Sequence, residues 1–186
     1  FVLNAMKVLD TPIDGLVLIE PPVFGDHRGY FLESYNSDRF RSVGIDAEFV
    51  QDNESCSSAG VLRGLHFQHP PHAQGKLVRV IRGKVWDVAV DIRKGSPTYG
   101  AHFGVELSGE NKRQLWIPPG FAHGFYTLED NTIFAYKCSA LYHKESEEAI
   151  LWKDADLHIN WPLQGTPLVS EKDEQATPFS RFVTPF

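Results

Sequence analysis

Apolar and polar residues alternate one by one through the middle of this chain. In Lys84-Val85-Trp86-Asp87-Val88-Ala89-Val90-Asp91, Trp86, Val88 and Val90 share one face, and Asp87, Ala89 and Asp91 share the other. That is the period of a β-strand. Similar short stretches predict strands over 16–20, 29–35, 49–53, 61–68, 76–82, 100–107, 114–117, 123–127 and 132–139. Turn-forming residues separate them: Gly25-Asp26, Gly44, Gly60, His69-Pro70-Pro71, Gly83, Gly95-Ser96-Pro97, Gly109 and Pro118-Pro119-Gly120. Many short strands at near-regular spacing predict an all-β sandwich or barrel.

Helical signal is thin. The stretch 37–43 reads as one short helix, capped by Ser37 and ended by Gly44, and 144–150 as one further turn. The tail 161–186 is rich in proline and polar residues, yet Leu168, Phe179 and Phe182 predict that it packs on the body.

At 186 residues the chain predicts one domain. We place it at 7–186, because Phe1 to Met6 do not look like a natural start and the internal Met6 suggests a remnant of expression. A formal charge of −6 lacks the basic footprint of a nucleic-acid binder. An anionic ligand would need locally focused cations. Cys56 and Cys138 are too few for a disulfide framework and read as reduced thiols, with a single bridge left open. No apolar run reaches membrane-spanning length. The expectation is a soluble, cytoplasmic protein.

One strand is unusually polar. Val61-Leu62-Arg63-Gly64-Leu65-His66-Phe67-Gln68, followed by Gln74-Gly75-Lys76, sets a histidine, two cations and a glutamine into strand sequence. Buried polar groups need partners, so such a strand suits the wall of a polar pocket. Strict alternation puts His66 with Leu62 and Gln68 and sends Arg63 to the opposite face. A bulge at Gly64 would bring both side chains to one pocket. A lone strand histidine more often belongs to a satisfied core; Arg63, Gln68 and Lys76 turn the reading toward a general base. Its carboxylate partner is open among Asp52, Asp87, Asp91 and Asp173, and Asp173 lies in a run that reads as solvated charge. Tyr136 shares a face with Phe134 and Cys138, where core packing competes with a role as proton donor.

The histidines make a poor metal site. The turn Pro118-x-Gly120-x-x-His123 resembles half of a cupin metal motif, but the paired His-x-His is missing, since Phe67 and Gln68 follow His66. His69 and His72 read as exposed in a proline-rich turn. Too few donors converge. Phosphate-binding glycine motifs are also missing, leaving Arg28, Arg63 and Lys76 as anion contacts and Phe24, Phe31 and Tyr142 to stack on a base.

Taken in order, several segments resemble the dTDP-4-dehydrorhamnose 3,5-epimerases. They include Val23-Phe24-Gly25-Asp26-His27-Arg28-Gly29-Tyr30-Phe31, Phe49-Val50-Gln51-Asp52-Asn53, Val61 through Gln68 and Gln74 through Val80. Asp87 through Arg93, Gln114 through Phe125, Tyr136-Lys137, Ile150-Leu151-Trp152 and Ser170 through Asp173 complete the match. The resemblance implies a cupin-type jelly roll and a homodimer with exchanged strands. It implies His66 as general base, Asp173 as its carboxylate, Tyr136 as general acid and Lys76 beside the C4 oxygen of the sugar. Arg28, Glu33, Gln51, Asn53, Arg63, His123, Glu147 and Lys172 would hold the sugar nucleotide, with Phe24 and Tyr142 near the base. Departures are small: Tyr30 stands where Phe is frequent, and Glu54 and Cys56 fall in what reads as a variable loop.

The implied reaction is inversion at C3 and C5 of dTDP-4-dehydro-6-deoxy-D-glucose in dTDP-L-rhamnose biosynthesis, a supply line for cell-wall polysaccharide or lipopolysaccharide. The C4 ketone acidifies both carbons, and an enolate forms without metal or redox cofactor. A mono-epimerase of a related deoxysugar pathway is the alternative, and a non-catalytic sugar-nucleotide-binding jelly roll lies further off.

Overall fold

A computed structural model describes residues 5–186; of the first six residues, 1–4 lie outside the described part. Two antiparallel sheets stack face to face. The first runs β1 (Lys7–Leu9), β2 (Val17–Glu20), β10 (Gln114–Ile117), β7 (Lys76–Arg82), β12 (Thr132–Cys138) and β5 (Gln51–Ser57). The second runs β13 (Glu147–Ala149), β6 (Leu62–Gln68), β11 (Phe121–Thr127), β8 (Lys84–Asp91) and β9 (His102–Ser108). Among the described residues a hairpin, β3 (Val23–Asp26) with β4 (Gly29–Leu32), pairs only with itself and is largely exposed. The architecture is mostly β, a double-sheet sandwich with short helices, as the alternation predicts.

Val78, Val80, Val85, Ala89, Leu115, Phe121, Phe125 and Phe134 pack between the sheets. Inward-facing alternate positions of both sheets make such a core. The outer face of the second sheet is covered too: Trp152, Leu157, Trp161, Phe179, Phe182 and Phe186 pack over Leu62, Leu65, Phe67, Val88 and Val90. That explains why every residue of β11 is buried. The tail packs on the body as expected, Phe179 and Phe182 included, while Leu168 stays 64% exposed. Its backbone nevertheless joins β6, the Leu62 N–H donating to the Leu168 carbonyl at 2.9 Å.

Several expectations need correction. The helix α1 (Ser37–Ser42) is capped by Asn36, whose side chain accepts from the Asp38 and Arg39 N–H groups, and not by Ser37. Glu54 and Cys56 lie in β5, not in a loop, on its exposed face. Gly25 and Asp26 belong to β3, so the hairpin turns after them. Met6 packs against the cluster of Ile19, Phe40, Ile45, Leu77 and Trp116. The reading of Cys56 and Cys138 as reduced thiols needs no correction: both are free, and no bridge joins them. No helix among the described residues is long and apolar enough to cross a membrane.

Candidate active site

The bulge is present at Gly64. His123 pairs with His66 in the β11–β6 ladder, but Phe125 pairs with Arg63, so β6 carries one extra residue between them. Leu62, Leu65 and Phe67 therefore face the covered outer layer, leaving Arg63 and His66 in one cleft. Only glycine suits the position: φ is +141°, and a Cβ would stand 2.5 Å from the Gly124 Cα.

Asp173 closes on this strand from far along the chain. The 168 segment runs beside 60–62, bonded through Leu62 and Gly60, and delivers the one-turn helix α2 (Glu171–Glu174) to the cleft. Ser170 caps that turn by accepting the Asp173 N–H at 3.2 Å. One carboxylate oxygen of Asp173 lies 2.6 Å from His66 Nε2, and the other accepts the Gly64 N–H at 3.1 Å. Burial acts to raise its pKa; the His66 contact and the Gly64 N–H outweigh that and hold the carboxyl below its ordinary range. The charge run is not solvated at this position: the Asp173 side chain is 4% exposed. An Nε2–H donated to Asp173 leaves Nδ1 of His66 free to accept a proton.

The facing sheet supplies the remaining groups. Tyr136 on β12 pairs in register with Asn53 on β5 and Val78 on β7. Burial pushes its phenol above the ordinary range, against a hydrogen bond from Asn53, so it keeps its proton. Lys76 starts β7 opposite Cys138, with Nζ 5.7 Å from the centre of the Tyr136 ring. Burial pushes its ammonium below the ordinary lysine range, although Cys138, Glu147 and Asp87 pull the other way. Arg63 reaches across the sheets to Ser57 Oγ at 3.2 Å.

Other expected residues meet at the rim. Glu147 accepts from Tyr142 Oη at 2.9 Å and pairs with Lys172 at 2.6 Å. Gln51 donates to Asn53 at 3.1 Å and accepts the Tyr142 N–H at 2.8 Å. His123 lies inside, its Nε2 2.8 Å from Asp87 Oδ2. Thus Asp87, open as a partner for His66, belongs to His123. Its alternation with Ala89 signalled an inward face; the register decides the pairing. Cys138 had no assigned role; burial pushes its thiol up to about 11, and Asn53 Nδ2 lies 3.8 Å from its sulfur.

Three expected residues lie apart from this cleft. Phe24 and Arg28 line a separate concavity on the hairpin with Tyr30 and Phe31. Arg28 is paired with its own Asp26, its side chain 78% exposed. Glu33, just past β4, pairs with Arg39 at 3.3 Å. His72, read as exposed, is instead half-buried against His143.

A histidine–carboxylate pair, a protonated phenol and a half-buried cation across two sheets define an acid–base enzyme on a β-sandwich. Such a set can move protons on and off a carbon beside a carbonyl. The family model described as dTDP-4-dehydrorhamnose 3,5-epimerase matches residues 10–181. A dTDP-4-dehydrorhamnose 3,5-epimerase from Shigella flexneri is 57% identical over 169 residues, 90% of this chain and 93% of that protein. One from Methanothermobacter thermautotrophicus is 53% identical over 174 residues, 92% of this chain and 94% of that protein. A crystal structure of the Legionella pneumophila dTDP-6-deoxy-D-glucose-3,5-epimerase, in complex with dTDP-4-keto-L-rhamnose, has a TM-score of 0.92 and 53% identity. That match covers 96% of this chain and 95% of the other. The chain belongs to the dTDP-4-dehydrorhamnose 3,5-epimerase family. It is an isomerase, an epimerase at C3 and C5 in dTDP-rhamnose biosynthesis.

Proposed function

We propose that the cleft binds dTDP-4-dehydro-6-deoxy-D-glucose and that His66 and Tyr136 exchange protons on opposite faces of its sugar. The observation that carries this reading is the 2.6 Å contact between His66 and the buried Asp173. Nδ1 of His66 takes the proton from C3 or C5, and Asp173 stabilises the imidazolium that forms. The electrons left behind move onto the C4 oxygen, where the Lys76 ammonium meets them in a site shielded from water. Tyr136 returns a proton to the same carbon from the other face, inverting it. Once His66 has released its proton to solvent and Tyr136 has regained one, repeating the sequence at the second carbon gives dTDP-4-dehydro-L-rhamnose.

Arg63 and Lys172 supply cations for the diphosphate, with Gln51, Asn53, His123, Tyr142 and Glu147 setting the sugar and nucleotide. Phe24 and Arg28 lie on a hairpin apart from the same chain's cleft, with Glu33 just past it. We read that hairpin as reaching the cleft of a second copy, in a homodimer. Exposed Phe24, Tyr30 and Phe31, with 68% of Phe31 exposed, support this reading. The sandwich is read as a cupin-type jelly roll forming one domain over 7–186, in the cytoplasm.

The test is proton NMR of the keto-sugar nucleotide incubated with the enzyme in D2O. Loss of the H3 and H5 signals, with an L-sugar trapped by a partner reductase, is the expected result. Exchange at one carbon only would move the reading to a mono-epimerase.

A further inference from the structure

Beside the cleft, two loops are joined along one seam, the turn after β6 and the segment after β12. Gln68 is 4% exposed at the end of β6. It donates to the carbonyls of His72 at 2.8 Å and Leu141 at 3.2 Å, and accepts the His143 N–H at 2.8 Å. Gln74 donates to the Ala140 carbonyl at 2.7 Å, and the Gly75 N–H to Ser139 Oγ at 2.8 Å. On this seam the rings of His72 and His143 lie face to face, centroids 3.6 Å apart and planes 8° from parallel. Both Nδ1 atoms turn to one hydroxyl. Ser146 Oγ is 2.9 Å from His72 Nδ1 and 3.3 Å from His143 Nδ1, and Ser146 is 2% exposed.

Counting protons gives this unit a preferred state. One ring must offer a bare Nδ1 to the hydroxyl hydrogen, while the other donates its Nδ1–H to the oxygen. Two neutral rings of opposite tautomer satisfy this, and so does one neutral ring beside one imidazolium. A second proton leaves the buried Ser146 hydroxyl hydrogen without an acceptor. It also sets two like charges face to face. The ionisable neighbours are His69, its Nε2 3.8 Å from Glu148, the exposed Lys144 and Glu145, and Glu147, held by Lys172 and Tyr142.

The stack sits between two residues of the cleft rim: Tyr142 immediately precedes His143, and Glu147 immediately follows Ser146. We propose that His72 and His143 are positioning residues, their stack on Ser146 holding Tyr142 and Glu147 in place for the sugar nucleotide. The inference rests on the reading that Tyr142 and Glu147 contact the ligand.

The experiment measures KM and kcat at pH 8 for the wild type, His143→Ala, His72→Ala, His143→Phe and Tyr142→Ala, with melting curves alongside. His143→Ala is expected to raise KM roughly tenfold at pH 8 with kcat within about threefold, because His66, Tyr136 and Lys76 stand on strands. His143→Phe can stack but cannot titrate. It is expected to restore KM at pH 8. If Tyr142→Ala raises KM and His143→Ala does not, the role of the stack is overturned and the rim contact stands. A normal KM in Tyr142→Ala overturns the rim reading and the inference with it. Should His143→Ala fail to fold, His72→Ala decides in its place: a KM at pH 8 within about threefold of the wild type in that variant refutes the proposal.

Discussion

Asp173 meets His66 across 107 positions of sequence, its carboxylate 2.6 Å from the ring nitrogen while its second oxygen accepts the backbone N–H of Gly64. The carboxylate thus fixes the ring and the bulge that presents it. Asp173→Asn keeps the shape and removes the charge that stabilises the imidazolium. We expect kcat to fall by roughly 10²–10⁴-fold, the scale of a lost acid–base partner. His66→Ala should lose at least about 10²-fold with substrate still bound. Steady-state kinetics with a nucleotide-binding assay checks both, and near-normal turnover in either variant would remove the pair from the mechanism.

Tyr136→Phe should separate proton removal from proton return. Deuterium exchange at C3 or C5 should outlast net inversion in that variant, because His66 can still take and return a proton on its own face. NMR in D2O reads both rates in one sample. Parallel loss of exchange and inversion, with nucleotide binding intact, would deny the phenol a separate role.

The alkaline limb of activity should belong to Lys76. Burial lowers its pKa, so it loses its charge below the usual lysine value of about 10.4, whereas Tyr136, whose pKa is raised by burial, holds its proton longer. A plot of kcat against pH should therefore fall on its alkaline side as Lys76 deprotonates. Lys76→Arg should move that fall upward even if kcat is reduced, since guanidinium does not titrate there. An unmoved limb in Lys76→Arg would assign it to another group.

Acid should unfold the protein in part through Asp91. Burial acts to raise the Asp91 pKa, but contacts from Arg93, Ser96 and Thr98 dominate and hold its carboxyl well below the ordinary range. A depressed carboxylate contributes stability that is present above its unfolded value of about 3.9 and is lost as pH falls toward the folded value. Asp91→Asn should cost about 3–5 kcal/mol at pH 7, the scale of breaking a buried ion pair. It should also flatten the decline of stability between pH 5 and pH 3. Urea unfolding at the three pH values measures this; a decline as steep as in the wild type would assign the acid sensitivity elsewhere.

Subunit mixing should reveal where the hairpin acts. In the proposed homodimer, Arg28→Ala and His66→Ala should each damage every site of their own assemblies. If Arg28 serves the partner's cleft, a mixed dimer contains one site with both residues intact, and mixing should restore roughly a quarter of wild-type sites. Activity no greater than the sum of the two separate variants would place Arg28 with its own chain or outside the reaction.

The β architecture was legible because side chains of a strand alternate between two environments. Strands β7, β8 and β10 end where the alternation and the flanking glycines and prolines place their ends. The hairpin strand β3 was not legible: all four of its residues are exposed, so no alternation marks it, and Gly25-Asp26 reads as a turn. The second half of β5 was hidden for a related reason, as Glu54-Ser55-Cys56-Ser57 contains no large apolar residue. In α1, Asn36 and Ser37 are both good caps, and only the backbone angles at Asn36 choose between them.

By itself, the sequence determined the local facts: alternating strands, the polar strand around His66, the glycine that permits a bulge, and the list of groups able to move protons. Its ordered segments also pointed to the family. Tertiary structure alone decided the pairings. Asp87 and Asp173 are equivalent as isolated carboxylates, but strand register takes Asp87 to His123, and the strand-like path of residue 168 takes Asp173 to His66. It likewise set His72 on His143 and the hairpin apart from the cleft. The physical reason is that a residue's local periodicity records which environment it faces. Which charge it meets there depends on the long-range ladder and packing, and these join segments that carry no local record of one another.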